Sequence, residues 1–190
     1  MRDQSEALYN SEVLEDLVLG SMANYLAAEE LHDLLDSIVA DYEDEVVYSF
    51  SIGDSYEGRP IMAYAFMLGT TKDAFQEELI SRRSVLIDGV HHARELTTIS
   101  QVVFTMLSLL HGYEHERPDA IAMMENAAIV FIPTVNVDGF NRISQTYSDS
   151  GKLEYIRKNR RIDLNKDCRR ADKEGVDLNR NYSYKFGLDN

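Results

Sequence analysis

The stretch VLIDGVHHARELTTIS, residues 85–100, sets an apolar run against a cluster of ionisable side chains. Val85, Leu86 and Ile87 lead into Asp88-Gly89, and His91, His92, Arg94 and Glu95 follow at once. A short apolar run closed by turn chemistry reads as a strand inside a sheet. Ligands of open α/β sheets gather beyond the carboxyl ends of strands, so the ionisable cluster stands where a site would lie. A solvated polar loop is the plainer alternative, and the rest of the chain has to decide between them.

Working outward, residues 1–23 read as a polar lead-in before the domain proper, residues 24–190. From Asn24, apolar residues recur at three- and four-residue steps (Leu31, Leu34, Leu35, Ile38), which predicts an amphipathic helix ending near Tyr42. EVVYSFSIG and IMAYAFMLG, separated by the turn-forming DSYEGRP, predict a β-hairpin. After the histidines, LTTISQVVFTMLSLLHG predicts a long helix capped by Gly112, and Pro118 opens a shorter one. AIVFIPTVNVDGF reads as a buried strand leaving through a polar turn, and residues 141–175 as long loops. This order predicts an α/β fold with a mixed central β-sheet flanked by helices.

The bulk numbers restrict the function. Of 190 residues, 44% are hydrophobic and 27% charged, an ordinary globular balance. Asp and Glu outnumber Lys and Arg by 33 to 19, for a net charge of −14. Nucleic acid is therefore not expected as the main partner, since phosphate binding needs a basic face. No apolar run approaches the ~20 residues that span a bilayer. Acidic residues in the opening stretch interrupt the continuous apolar run of an export signal, and none is read there. Cys168 is the only cysteine, so no intrachain disulfide is possible.

His92 and Glu95, with two residues between them, form a compact nitrogen–oxygen pair. Zinc takes imidazole nitrogen and carboxylate oxygen, and two histidines with a glutamate and an open position make a catalytic site. The pair alone is a weak signal, because this spacing arises often by chance. Three further stretches follow in order: FIPTVNVDGF at 131–140, YIRKNRR at 155–161 and GVDLNRNY at 175–182.

Together with GVHHARE, these stretches resemble the zinc metallocarboxypeptidases of the carboxypeptidase A, B and T type. NYLAAEELHDLLDSIVADY and SIGDSYEGRPIMAYAF are similar to the opening helix and hairpin of that catalytic domain, so the resemblance spans about residues 24–190. It implies a phosphorylase/hydrolase-like fold, a single Zn2+ ion, and peptide C-termini as substrate. It implies that His92 and Glu95 are metal ligands, with His91 one step out of register. Arg157 is implied as the catalytic arginine that steadies the developing oxyanion, and Asn179 and Arg180 as the pair that holds the substrate's terminal carboxylate. Arg94 matches an arginine that contacts substrate upstream of the cleaved bond, a salt bridge being its alternative. A guanidinium fork binds carboxylate bidentately, and a fixed cation lowers the energy of an oxyanion. Asn136, Asp138 and Gly139 match a family turn, read as scaffolding.

The resemblance also implies a third zinc ligand, a histidine beyond the Asn-Arg-Asn motif, and a later tyrosine and a glutamate base. The five histidines are His32, His91, His92, His111 and His115, all upstream of that motif. The chain is therefore expected to be the N-terminal part of a catalytic domain, incomplete at the C-terminus and inactive alone. Two other readings stay open: a non-catalytic short form that binds peptide C-termini, and a zinc deacylase of N-acyl amino acids. The family is mostly secreted or vesicular, but the compartment is not legible in these residues.

Overall fold

The structure is a computed structural model that describes residues 13, 17, 19–43, 45–161, 175–184, 186 and 187. Most of the lead-in, and Cys168 with it, lies outside the described residues.

Helix α1 spans Ala28–Tyr42. It begins later than its apolar spacing suggests because Ala23 and Asn24 adopt positive φ, 51° and 69°, which a right-handed helix cannot contain. The Glu30 carboxylate then accepts from the Ala27 amide at 2.7 Å and the Ser21 amide at 3.0 Å, covering donors exposed at the helix start. Leu31, Leu35 and Ile38 bury its inner face, and Met22, at the end of the lead-in, is fully buried in the same core.

Strands β1 (Val47–Asp54) and β2 (Pro60–Phe66) form the expected antiparallel hairpin. Short helix α2 (Phe75–Ser81) follows, then β3 (Ser84–Asp88), α3 (Thr97–Glu114), α4 (Pro118–Asn126), β4 (Ala128–Ile132) and α5 (Val137–Ser150). The sheet order is β1-β2-β4-β3. β4 pairs antiparallel with β2 and parallel with β3, so the mixed α/β sheet is as expected. The parallel pair requires the crossover that α3 and α4 provide.

Three expectations are corrected. β3, read as a strand inside a sheet, is at the edge of the four strands found among the described residues, with Val85 51% and Leu86 58% exposed. Gly112 does not cap α3; it is buried within the helix. The left-handed residue that ends this helix is Glu116, at φ 50°. Residues 141–150 are not loop but the body of α5, which is opened by Asn136, whose side chain accepts from the Gly139 amide. Asn-x-Asp-Gly is thus a helix start rather than a free turn.

The main core lies on one face of the sheet, where Phe66 and Phe131 meet edge to face at 4.9 Å. A smaller cluster on the other face packs Phe75 of α2 on Tyr48, rings 5.2 Å apart. Among the described residues no helix is long and apolar enough to cross a membrane.

Tyr64 of β2 is only 3% exposed. Burial, with the charge of Asp36 second, pushes its phenol up to about 12. The unfolded chain ionises near the ordinary value of ~10. The contribution of Tyr64 should therefore be intact below pH ~10 and be lost as pH rises through the folded value. In alkaline denaturation followed by circular dichroism, Tyr64→Phe should lose less stability over that window than the parent; equal loss would contradict this.

Candidate functional site

β3 ends at Asp88, and the chain turns sharply through Gly89 and Val90. A Cβ on Gly89 would lie 2.8 Å from the Pro133 carbonyl, so only glycine fits. Val90 takes a positive φ of 55°. Its amide donates to Thr98 Oγ1 at 2.9 Å, and its carbonyl accepts from the Asn136 amide at 2.9 Å. The Gly89 carbonyl accepts from the Val135 amide at 3.0 Å. These bonds fasten the histidine loop to the start of α3 and to the segment leaving β4.

The Glu95 amide donates to the His92 carbonyl at 3.0 Å, a tight turn that puts both side chains on one side. His92 is buried, 5% exposed. Its Nδ1 lies 2.9 Å from Glu95 Oε1, and its Nε2 donates to Asp177 Oδ1 at 3.0 Å. Arg157 donates from Nε to the other oxygen of Asp177 at 2.8 Å. One carboxylate therefore bridges His92 and Arg157 across 85 residues of sequence on one side and 20 on the other. Burial alone would raise the Asp177 carboxyl; the hydrogen bonds from Arg157 and His92 outweigh it and hold it below its ordinary value.

Asp177 also receives the Asn179 amide, 3.1 Å from Oδ1, and opens the single 3-10 turn Leu178–Arg180. Asn179 and Arg180 thus sit on an exposed turn beside the bridged pair. Val176 is held to Asn159 by a pair of bonds at 2.8 and 3.0 Å. Arg94 donates its backbone amide to the Ile156 carbonyl at 2.8 Å. Its guanidinium lies 4.0 Å over the Tyr155 ring, beside a cleft of about 270 Å3 that Tyr25, Leu96 and Leu153 help to line. Its side chain therefore faces an aromatic ring, a cation–π arrangement.

The structure brings His92, Glu95, Arg157, Asn179 and Arg180 to one end of the sheet through Asp177. Arg94 is joined to the group through its backbone. His111 and His115 stack on each other, rings 4.0 Å apart, at the far end of α3, and His32 lies 3.5 Å from Asp36 on α1. Among the described residues no group of three or more His, Cys, Asp and Glu side chains could hold a metal ion. The His92–Glu95 pair by itself has the donors zinc prefers, with the second ring nitrogen held by a carboxylate, as in metal-ligating histidines generally.

The contacts of two residues escaped the sequence reading. Asp177 stands in GVDLNRNY, but its contact with His92 is non-local. Asn136, 2% exposed, gives its Nδ2 to the carbonyls of His91 at 3.3 Å and Arg157 at 3.5 Å, a bridge that an Asn-x-Asp-Gly pattern does not announce.

Comparison with known proteins gives one consistent result. The zinc carboxypeptidase family profile matches residues 31–189. Carboxypeptidase A1 of Sus scrofa is 31% identical over 165 residues, covering 87% of this chain and 34% of its own. A protein of Sclerotinia sclerotiorum named inactive metallocarboxypeptidase ecm14 is 31% identical over 142 residues, covering 74% of this chain and 21% of its own. Among solved structures, thrombin-activatable fibrinolysis inhibitor superposes with a TM-score of 0.66 at 22% identity, over 94% of this chain and 40% of that one. Carboxypeptidase A of Helicoverpa armigera gives 0.65 at 20% identity, over 98% and 42%; these two likenesses concern the fold alone. The chain spans between about a fifth and a third of the length of these two curated relatives.

Proposed function

Because this chain belongs to the zinc carboxypeptidase family, we propose that its site binds the free C-terminal carboxylate of a peptide beside a zinc-binding pair, as part of a protein that hydrolyses C-terminal peptide bonds. His92, through Nδ1, and Glu95 would hold the metal. Zinc, when bound there, supplies Lewis acidity, polarising a carbonyl and lowering the pKa of water. Asp177 fixes the orientation of the His92 ring. Arg157, held by Asp177 through Nε, keeps its terminal guanidinium nitrogens for the oxygen that gains charge. Asn179 and Arg180 take the substrate carboxylate, and Arg94, with Tyr155, borders the upstream residues.

The observation that carries this reading is the Asp177 bridge. A single carboxylate joins the candidate metal histidine to the candidate oxyanion arginine, with the carboxylate-binding pair next along the chain.

The test is equilibrium binding of N-benzoyl-glycyl-phenylalanine as free acid and as amide. The free acid should bind more tightly, and Arg180→Ala should weaken it by roughly tenfold, the worth of one charge-assisted bond. The amide should be little changed. Equal affinity for acid and amide would remove carboxylate recognition from this site.

A second reading, carboxylate binding without hydrolysis, is favoured by the similarity to proteins named inactive. Among the described residues the site gathers two donors, fewer than a catalytic zinc normally has, and catalytic groups act as a unit. The 190-residue chain is therefore expected to bind the free acid without cleaving it. Chelator-sensitive release of phenylalanine, absent in His92→Ala, would contradict that expectation and exclude the second reading.

A further inference from the structure

His92 is engaged with Glu95 and Asp177, which leaves the adjacent His91 unexplained. Its side chain is 17% exposed and meets a different set of partners. Nδ1 lies 3.5 Å from Asp88 Oδ1, at the end of β3. Nε2 shares a hydrogen bond with the Tyr182 hydroxyl, and the two rings are tilted against each other at 5.7 Å. Tyr182 comes two residues after Arg180.

We propose that His91 is a positioning residue that grips Tyr182 and fixes the downstream end of the turn bearing Asn179 and Arg180. The upstream end is fixed by Asp177 on His92 and Arg157. Neighbouring histidines thus hold opposite ends of one short exposed segment, each with one ring nitrogen toward it. The reason is mechanical. Residues 179–182 are exposed, and among the described residues the amides of Asn179, Arg180 and Asn181 bond within the turn, to Asp177 and to the Leu178 carbonyl. A turn anchored at one end pivots, whereas one anchored at both ends presents its guanidinium and amide in a fixed direction. That matters for a pair that must meet a planar carboxylate. Asp88 completes the device by holding the His91 ring against the end of the strand.

The inference rests on reading Asn179 and Arg180 as the carboxylate-binding pair, and its test separates the two. Amide hydrogen exchange is measured by NMR on the full chain for His91→Phe, Tyr182→Phe, the double variant and His91→Gln. Each phenylalanine variant keeps a ring and loses the hydrogen bond. Exchange at Asn179, Arg180 and Asn181 should rise roughly five- to tenfold in either single variant, the worth of one neutral hydrogen bond. The double variant should show no further rise, because both changes break the same bond. Amides of β4 should be unaffected, and His91→Gln, which can still meet the hydroxyl, should restore most of the protection. Unchanged exchange, effects that multiply in the double variant, or a parallel rise in β4 would each overturn the proposal. Tyr182 is 57% exposed, so Tyr182→Phe carries the test should His91→Phe not fold.

Binding of N-benzoyl-glycyl-phenylalanine to the same variants separates the two readings. If the exchange results hold and the free acid loses affinity by a similar factor while the amide does not, both stand. If the exchange results hold but acid and amide bind alike throughout, the anchor stands and the carboxylate reading falls.

Discussion

Replacing Asp177 by alanine should weaken zinc binding by roughly ten- to a hundredfold, the usual effect of removing a carboxylate that orients a ligating histidine. Three donors converge on this side chain: His92 Nε2, Arg157 Nε and the Asn179 amide. Without it the His92 ring loses the contact that points Nδ1 at Glu95. Arg157 loses the anchor that fixes its guanidinium, and the 3-10 turn loses its cap. The fold should survive, since Asp177 lies at the start of a short turn outside the sheet and the helices that cover it. Asp177→Asn is expected to fall between, because an amide still accepts hydrogen bonds but carries no charge for His92 and Arg157. Competition against a chromophoric chelator gives the affinity, and a thermal melt checks the fold. Unchanged affinity in Asp177→Ala would mean that the carboxylate does not orient the metal ligand.

Asp138→Ala should cost about 2–4 kcal/mol of folding stability, in the range for breaking a buried, hydrogen-bonded charge. Asp138 is 2% exposed in the first turn of α5. It accepts from Ser55 Oγ at 2.7 Å, the Glu57 amide at 3.0 Å and Arg59 Nη1 at 2.7 Å. The β1–β2 turn is thereby pinned to the helix that opens beside the site. The Arg59 side chain is 41% exposed and also meets Glu57, so water and Glu57 soften the loss below that of a fully buried pair. The next residue, Gly139, packs against the loop that carries His92, where a Cβ would come within 2.7 Å of Ala93 Cβ. Loosening α5 should therefore also disturb His92. Urea denaturation measures the effect, and a change under ~0.5 kcal/mol, typical of an exposed surface site, would contradict it.

What was legible in the sequence was local. The hairpin, the long helix after the histidines and the β3–His92 junction each carry their signal in a few consecutive residues, and the structure has them. Helix α5 was missed because its sequence, VDGFNRISQTYSDS, is mostly polar and opens with residues that also form turns. Its apolar stripe is thin, with only Phe140 and Ile143 buried apolar side chains. Helix α2 is too short, seven residues, to show a period. The edge position of β3 is set by the pairing of the other strands, which no single strand reveals. At the site, the sequence named His92, Glu95 and Arg157 by resemblance but not the carboxylate joining them. That contact spans 85 residues and exists only once β3, β4 and the following segments are folded together.

The central claim is that His92, through Nδ1, is the metal-binding histidine and that His91 serves another purpose. It is tested most directly by titrating zinc into chain labelled with 15N in its histidine rings and following each ring nitrogen by NMR. The account predicts that His92 Nδ1 moves to a metal-bound shift while Nε2 stays protonated against Asp177. His91 should keep its bond to Tyr182, and His32, His111 and His115 should stay unchanged at stoichiometric zinc. A metal-bound shift at His91 instead of His92, or no metal-bound shift at His92 at any zinc concentration, would contradict it.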